Sequence, residues 1–159
     1  MAVKTAKKDP NSATIAQNRR ARHDYEILQR FECGIMLTGS EIKSVREHRV
    51  QLQGAYARVK EGELWLQDAH IAPYANAGYS GHVPDRDRKL LLHKKEILRI
   101  AQLVGEQGLT LVPLSMYFKG GRAKVEVGVA RGLKRYDKRE KIAERDVARD
   151  VQRALRRNT

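Results

Sequence analysis

The sequence predicts a mainly β protein: a small antiparallel barrel with flanking helices, followed by a basic C-terminal tail that can form a helix. Three observations predict it. Val112, Leu114, Met116 and Phe118 alternate with other residues, Ala123, Val125, Val127 and Val129 do the same, and Gly120-Gly121 sits between the two runs, which is the pattern of a tight hairpin. Shorter strand-like runs precede it, giving five or six antiparallel strands, a number that closes a small barrel more readily than it makes a large open sheet. Ala143, Val147, Val151 and Leu155 recur every four residues, with Arg145, Arg149 and Arg153 offset by two, roughly 200° around a helix. With 159 residues, 41% of them hydrophobic, the chain has enough for one domain and one core.

Residues 1–13 contain Pro10 and, among large apolar side chains, little beyond Val3, so a disordered tail is expected there. Phe31, Cys33, Ile35 and Leu37 alternate with Glu32, Gly34 and Met36 and predict a strand. Thr38 and Glu41 have capping-box spacing, which predicts a helix over Ser40–Glu47 with Ile42 and Val45 facing inward. Strands are expected at Tyr56–Val59 and Leu64–Gln67, joined by a turn at Glu61-Gly62. Residues 73–88 hold two glycines and two prolines without periodicity and read as a long loop. Ile97, Ile100, Ala101 and Val104 form one helix face, with Gly105 and Gly108 as candidate stops. Gly128 and Gly132 suggest close backbone approach or bending in the last strand. Asp137 and Glu140 repeat the capping spacing before the tail, which spans 133–159 and follows a body of 14–132. The thin apolar seam suggests that the tail folds only when bound, with docking onto the barrel as the alternative.

Charge points to a polyanionic partner. Lys+Arg number 32 and Asp+Glu 19, for a net charge of +13 and a pI near 10.1. The excess is placed at the ends. Residues 1–22 carry six basic and one acidic residue, residues 131–159 eleven and five, and the stretch between them is nearly balanced. Aromatic residues are only 6%, so stacking on single strands should not dominate and a folded RNA read through backbone and shape fits better. Asn18, Arg19, Arg20, Arg22 and His23 form one group suited to phosphate, and Arg86, Arg88 and Lys89 another. Tyr74, Tyr79, Trp65 and Tyr136 are candidate platforms, with Trp65 more readily placed in the core.

Catalytic chemistry is hard to assemble. The single cysteine, Cys33, excludes a disulfide framework and a four-cysteine zinc site, and its place on the apolar side of a strand suits a buried structural thiol. His82, Asp85, Asp87 and His93 match no strong metal spacing. His23 and Asp24, read as strand neighbours, would point to opposite faces and make a poor acid–base couple. There is no phosphate-binding glycine loop and no run of about 18 apolar residues. The expectation is a cytosolic binding protein with no cofactor, no metal and no enzymatic activity. A ribosomal or other translation-associated RNA-binding protein, a membrane-surface protein and an RNA-processing nuclease stand as alternatives.

Several ordered blocks then resemble one family. Ile15-Ala16-Gln17-Asn18-Arg19-Arg20-Ala21-Arg22-His23-Asp24-Tyr25, Phe31-Glu32-Cys33-Gly34, Thr38-Gly39-Ser40-Glu41-Ile42-Lys43-Ser44, Arg88-Lys89-Leu90-Leu91-Leu92-His93-Lys94, Gly108–Leu114 and Tyr136-Asp137-Lys138-Arg139-Glu140 are similar to SmpB, the SsrA-binding proteins of bacteria. The resemblance covers residues 14–157. It implies an OB-like barrel that binds the tRNA-like domain of transfer-messenger RNA (tmRNA, SsrA RNA) and enters stalled ribosomes for trans-translation and tagging of the incomplete protein. The barrel would mimic the anticodon arm, and the tail would probe the empty mRNA channel near the small-subunit decoding region. GTP-bound elongation factor EF-Tu with alanyl-tmRNA would be an indirect partner. By the same resemblance, Glu32, Leu91 and His93 match RNA-binding positions, and Asn18, Arg19, Arg22, Lys43 and Lys89 lie in matching blocks as phosphate contacts. Tyr136, Asp137, Lys138 and Arg139 match the decoding-region motif, and Lys134, Arg135, Arg145, Arg149 and Arg153 would serve the mRNA channel. Cys33 departs from an alanine common in the family, a small apolar change. Glu32 would accept bonds from a base amino group or a ribose hydroxyl, or orient an arginine.

Overall fold

Alternation and turn chemistry build most of the sheet. The computed structural model describes residues 13–75, 81–133 and 135–157. Residues 1–12 of the expected tail, Tyr79 with the rest of 76–80, and Lys134 lie outside the described residues, as do the side chains of Arg135, Tyr136, Asp137 and Lys138. In chain order the elements are β1 Ala13–Gln17, α1 Arg19–Asp24, β2 Tyr25–Ile35, α2 Gly39–Arg46, β3 Val50–Gln51, β4 Tyr56–Lys60, β5 Glu63–Gln67, β6 His70–Ile71, β7 Arg88–Leu91, α3 Lys94–Gln107, β8 Thr110–Lys119, β9 Arg122–Gly132 and α4 Arg135–Arg157.

Both expected hairpins form. Glu61 and Gly62 have φ of 53° and 75°, and Gly120 and Gly121 have 59° and 74°, so each two-residue turn carries positive φ twice, as its twist requires. The second turn fixes the register Lys119↔Arg122, Phe118↔Ala123 and Tyr117↔Lys124. The sheet then closes on itself. β8 pairs with β9 along one edge, and along the other it meets β4 at Ala57↔Leu111 and β1 from Ser115 to Phe118. β4, β5, β7, β2 and β9 complete a six-stranded antiparallel ring, and β1 lies outside it on β8. β3 and β6 form a separate small pair. The protein is thus mainly β with flanking helices.

The ring is filled by Cys33, Leu64, Leu66, Leu90, Leu111, Met116, Val125, Val127 and Val129, all buried, with Ile100 of α3 and Val45 of α2 closing in on the same core. Cys33 is fully enclosed. Burial, then the charges of Glu96 and Glu32, push its thiol up to about 12, which suits an inert packing group. A second, smaller cluster packs α1 through Ala21 onto Val112, Leu114 and Ala130. Val112, Pro113 and Leu114 are buried in succession because one face of β8 looks into the ring and the other is covered by α1. Gly128 faces this contact. A Cβ there would come within 3.1 Å of Leu114 and 3.2 Å of Ile27, so any larger residue would have to push these side chains aside.

Four elements differ from expectation. β1 and α1 open the expected body, where the sequence reading named only a phosphate-binding group and no element, and His23-Asp24 lies on helix α1 rather than on a strand, so its side chains do meet, at 3.2 Å. β2 begins at Tyr25 and ends before Leu37, because Leu28 is exposed and Gln29 is half-buried, which breaks the apolar alternation, and a bulge falls at the same place. The last helix starts at Arg135, ahead of the Asp137 capping spacing. α3, by contrast, ends at one of its two expected stops: it runs through Gly105 and stops at Gly108, whose φ is 62°.

α2 matches expectation, with both halves of its capping box formed. It also buries a charge. Glu41 is fully enclosed. Its carboxylate accepts from the Thr38 amide at 3.0 Å, from Arg86 Nη2 at 2.6 Å and from Arg88 Nε. Arg88 is equally enclosed and donates to the carbonyls of Ala69 at 2.7 Å and Pro84 at 2.9 Å. Burial works to raise the Glu41 pKa, but the bonds from Arg86 and Arg88 outweigh it and hold the group at about 2. The folded value lies below the ordinary 4.5. Its stabilisation is therefore full above the unfolded value and lost as pH falls from there toward 2. Glu41→Gln strands the buried Arg88 charge. Thermal melts from pH 7 to pH 2 should show a loss of about 3–5 kcal/mol at neutral pH. The difference between the two proteins should shrink below pH 4.5.

Candidate RNA-binding surface

Side chains alternate across a strand, so burying Cys33 turns Glu32 outward. The register then sets its neighbours. Glu32 lies opposite Glu126 of β9, and Gly34 lies opposite Lys124 of β9 and Leu91 of β7. Lys124 in turn faces Tyr117 of β8. The Tyr117 hydroxyl donates to Glu32 Oε2 at 2.7 Å, and Lys119 Nζ stands 3.4 Å from both carboxylate oxygens. Burial raises the Glu32 pKa, but the Tyr117 bond, then the charges of Lys119 and Lys124, bring it below the ordinary carboxylate value. The same contact, after burial, pushes the Tyr117 phenol far up, so it stays a donor. Glu32 is an ionised acceptor held in one place, with the side chain still 36% exposed.

Leu91, expected on the RNA face, is 47% exposed and opposes Gly34, beside Glu32 on the outer face. Lys89, two residues before it, is outward as well and donates to Glu63 at 2.8 Å. His93 is exposed at the N-terminus of α3 and makes no side-chain cap bond. Glu32, Lys89, Leu91 and His93 are therefore brought together around β2 and β7. Lys43, on α2, is exposed, and its ammonium stands 5.3 Å from the centre of the half-buried Tyr74 ring.

α1 presents Arg19 and Arg22 outward at the other end of β8, over Val112 and Leu114. Asn18 does not join them. It is buried, its Oδ1 accepts from the Ala21 amide as the N-cap, and its Nδ2 donates to Leu52 O at 3.2 Å and Pro113 O at 3.0 Å. Every polar atom of its side chain is spent inside, which corrects the expectation of a phosphate contact. Arg88 is corrected likewise, because its guanidinium is enclosed with Glu41, and Arg86 is tied to the same carboxylate. Trp65 is corrected from core to outer face: Leu64 and Leu66 point inward, and half-buried Trp65 opposes Arg58 and Lys89. His82, Asp85 and Asp87 have protein partners in Ser40, His70 and Gln67.

The tail is a 23-residue helix. Arg139 and residues 142–156 are all exposed, Arg145, Arg149 and Arg153 among them. Val147, Val151 and Leu155 are 62%, 52% and 64% exposed, so the apolar seam is not docked on the ring. Asp146 and Asp150 each precede an arginine by three, a spacing that supports a solvated helix. No helix among the described residues is long and apolar enough to cross a membrane.

Tyr117, Lys119 and Lys124, which surround Glu32, were missed in the sequence, although the Gly120-Gly121 turn already implies that Tyr117 faces Lys124. Glu32→Gln should lower RNA affinity several-fold, and Tyr117→Phe, which frees the carboxylate, should do so less. Equal affinities for all three proteins would remove Glu32 from the interface.

An SsrA-binding protein of Chloroflexus aurantiacus is 60% identical over 154 residues, covering 96% of each chain. Those of Roseiflexus sp. strain RS-1 and Carboxydothermus hydrogenoformans are 58% and 54% identical, covering 91% and 89% of this chain. A solved chain from work on tmRNA-SmpB at the centre of the bacterial ribosome has a TM-score of 0.65 at 49% identity and covers 82% of this chain and 95% of its own. The SmpB protein family model matches residues 15–157. With nearly the whole described chain inside that match, the chain belongs to the SmpB protein family.

Proposed function

We propose that the chain is a non-catalytic adaptor that binds the tRNA-like domain of tmRNA and delivers it to stalled ribosomes for trans-translation and tagging of the incomplete protein. The ring acts as an OB-like barrel in the position of an anticodon arm. The tail, 133–159, tests whether the mRNA channel of the small subunit is empty. EF-Tu with GTP and alanyl-tmRNA delivers the complex, and the place of work is the bacterial cytoplasm.

The observation that carries this function is the division of the chain into two unlike binding surfaces. The ring gathers Glu32, Lys89, Leu91 and His93 on an outer region, while α4 offers a basic helix exposed all round over residues 142–156. α4 holds nine basic and five acidic residues, which gives it a net attraction for a phosphate-lined channel. Messenger phosphates and this helix cannot share one channel, so occupancy reports a missing message. Lys134, Arg135, Tyr136, Asp137, Lys138 and Arg139 enter at the decoding region, and Arg145, Arg149 and Arg153 line the helix beyond it. Arg19 and Arg22 contact phosphate, and Asn18 positions them by capping α1.

Truncation after Leu133 should leave tmRNA affinity within about threefold of the full chain and abolish tagging in a reconstituted stalled-translation assay. Equal loss of both would place the tail in the RNA-binding body. Arg19→Gln with Arg22→Gln should weaken binding and flatten the salt dependence by about 0.7–0.9 for every phosphate that is no longer neutralised. An unchanged slope would remove both from the phosphate interface.

A further inference from the structure

A basic helix exposed all round attracts any RNA it meets, not only the walls of an empty channel. That attraction grows with every cation that neutralises a phosphate. α4 nonetheless carries five acidic residues among its nine basic ones.

Two of the five are placed against the arginines. At 3.6 residues per turn, Arg145, Arg149 and Arg153 form a row that drifts across roughly 80° of the helix surface. Asp146 and Asp150 form a second row along one side of it, each three residues ahead of an arginine and so within reach of it. All five side chains are exposed. Support of the helix does not by itself call for this arrangement. Asp146 and Asp150 are four residues apart, a spacing at which like charges disfavour a helix, and the arginines repeat the same spacing. Two parallel rows of opposite sign lower the outward charge of the basic stripe at the expense of that repulsion.

We infer that Asp146 and Asp150 are specificity determinants of the tail: they hold its intrinsic affinity for RNA low, so that α4 binds firmly only where the ring has already delivered it. The inference rests on the adaptor function proposed above. Its physical basis is tethering. On a stalled ribosome the ring is held by tmRNA and α4 is covalently attached to the ring. Entry into the channel is then an intramolecular step, with an effective concentration on the order of millimolar. This offsets the attraction that the two carboxylates remove. An unrelated RNA meets the tail as a separate molecule, and there the removed attraction is felt in full. The acids thus discriminate by weakening the competitor more than the target.

The test uses the full chain. Asp146→Asn/Asp150→Asn should bind unrelated duplex RNA about three- to tenfold more tightly, and its slope of log affinity against log salt should be steeper by about 0.9 for each arginine released onto a phosphate. In a reconstituted stalled-translation assay its tagging should stay within about twofold of wild type without competitor, because tethering dominates there. With duplex RNA in excess, its tagging should fall at least about threefold further than that of the wild type. Asp146→Glu/Asp150→Glu, which keeps both charges, should match the wild type in every arm. Circular dichroism of each variant reads the helix. Unchanged duplex affinity and slope in the Asn variant would overturn the inference, and lower helicity alongside them would reduce both residues to helix support. Tagging that rises equally with and without competitor would overturn it too, since the carboxylates would then weaken the tail everywhere alike. Wild-type protein that supports no tagging at all would instead overturn the adaptor function itself.

Discussion

The ion pair between Glu41 and Arg88 ties together parts of the chain that nothing local would hold. It joins the first turn of α2 to the start of β7, and through the Ala69 and Pro84 carbonyls it fixes the segments on either side of residues 76–80. Both charges are out of solvent, so neither can be removed singly without exposing the other to a medium that cannot solvate it. Lys89, Leu91 and His93 follow Arg88 directly. Their placement beside Glu32 therefore depends on this buried pair and on the β2–β7 pairing at Gly34 and Ile35.

A second constraint acts at the other end of the ring. Asn18 is held at once by the backbone of α1, Leu52 and Pro113, and this fixes the entry of α1 onto the sheet. The small residues Ala21, Gly128 and Ala130 let helix and strands approach closely over Leu114. Arg19 and Arg22 inherit their outward direction from that packing. In both places a buried polar group with all its bonds made positions exposed charged groups that have work to do in solvent.

The ring and the tail obey different physics. The ring is stabilised by apolar burial and by closure, which removes the unpaired edges that an open sheet would present. The helix α4 buries little and relies on local spacing of charge. Such a helix gains most of its stability from whatever it docks onto. Its exposed seam and basic stripe therefore suit a segment whose fixed geometry is supplied by a partner, while the ring is fixed by its own core.

How much could be read in advance follows from the range of each interaction. The two hairpins were legible because positive φ at Glu61-Gly62 and Gly120-Gly121 and alternation of side chains are local properties. The capping box of α2 and the glycine stop of α3 were legible for the same reason. Family blocks pointed to Glu32, Leu91 and His93 and to the basic tail, and Cys33 was readable as a buried thiol. α1 was obscured because its only buried residue is Ala21, so six residues rich in charge show no apolar periodicity. Asn18 and Arg88 were misread because a polar residue in a basic run looks like a surface residue unless its buried partner is known, and Glu41 lies 47 positions from Arg88. Tyr117 and Lys119 were missed beside Glu32 because that contact spans 85 and 87 positions and exists only once β2, β9 and β8 are adjacent. The sequence by itself determined the strands with regular alternation, their turns, the charge of the tail and the family. Which strands are neighbours and which charges are buried could be known only from the fold, because both depend on closing a ring whose contacts are far apart in the chain.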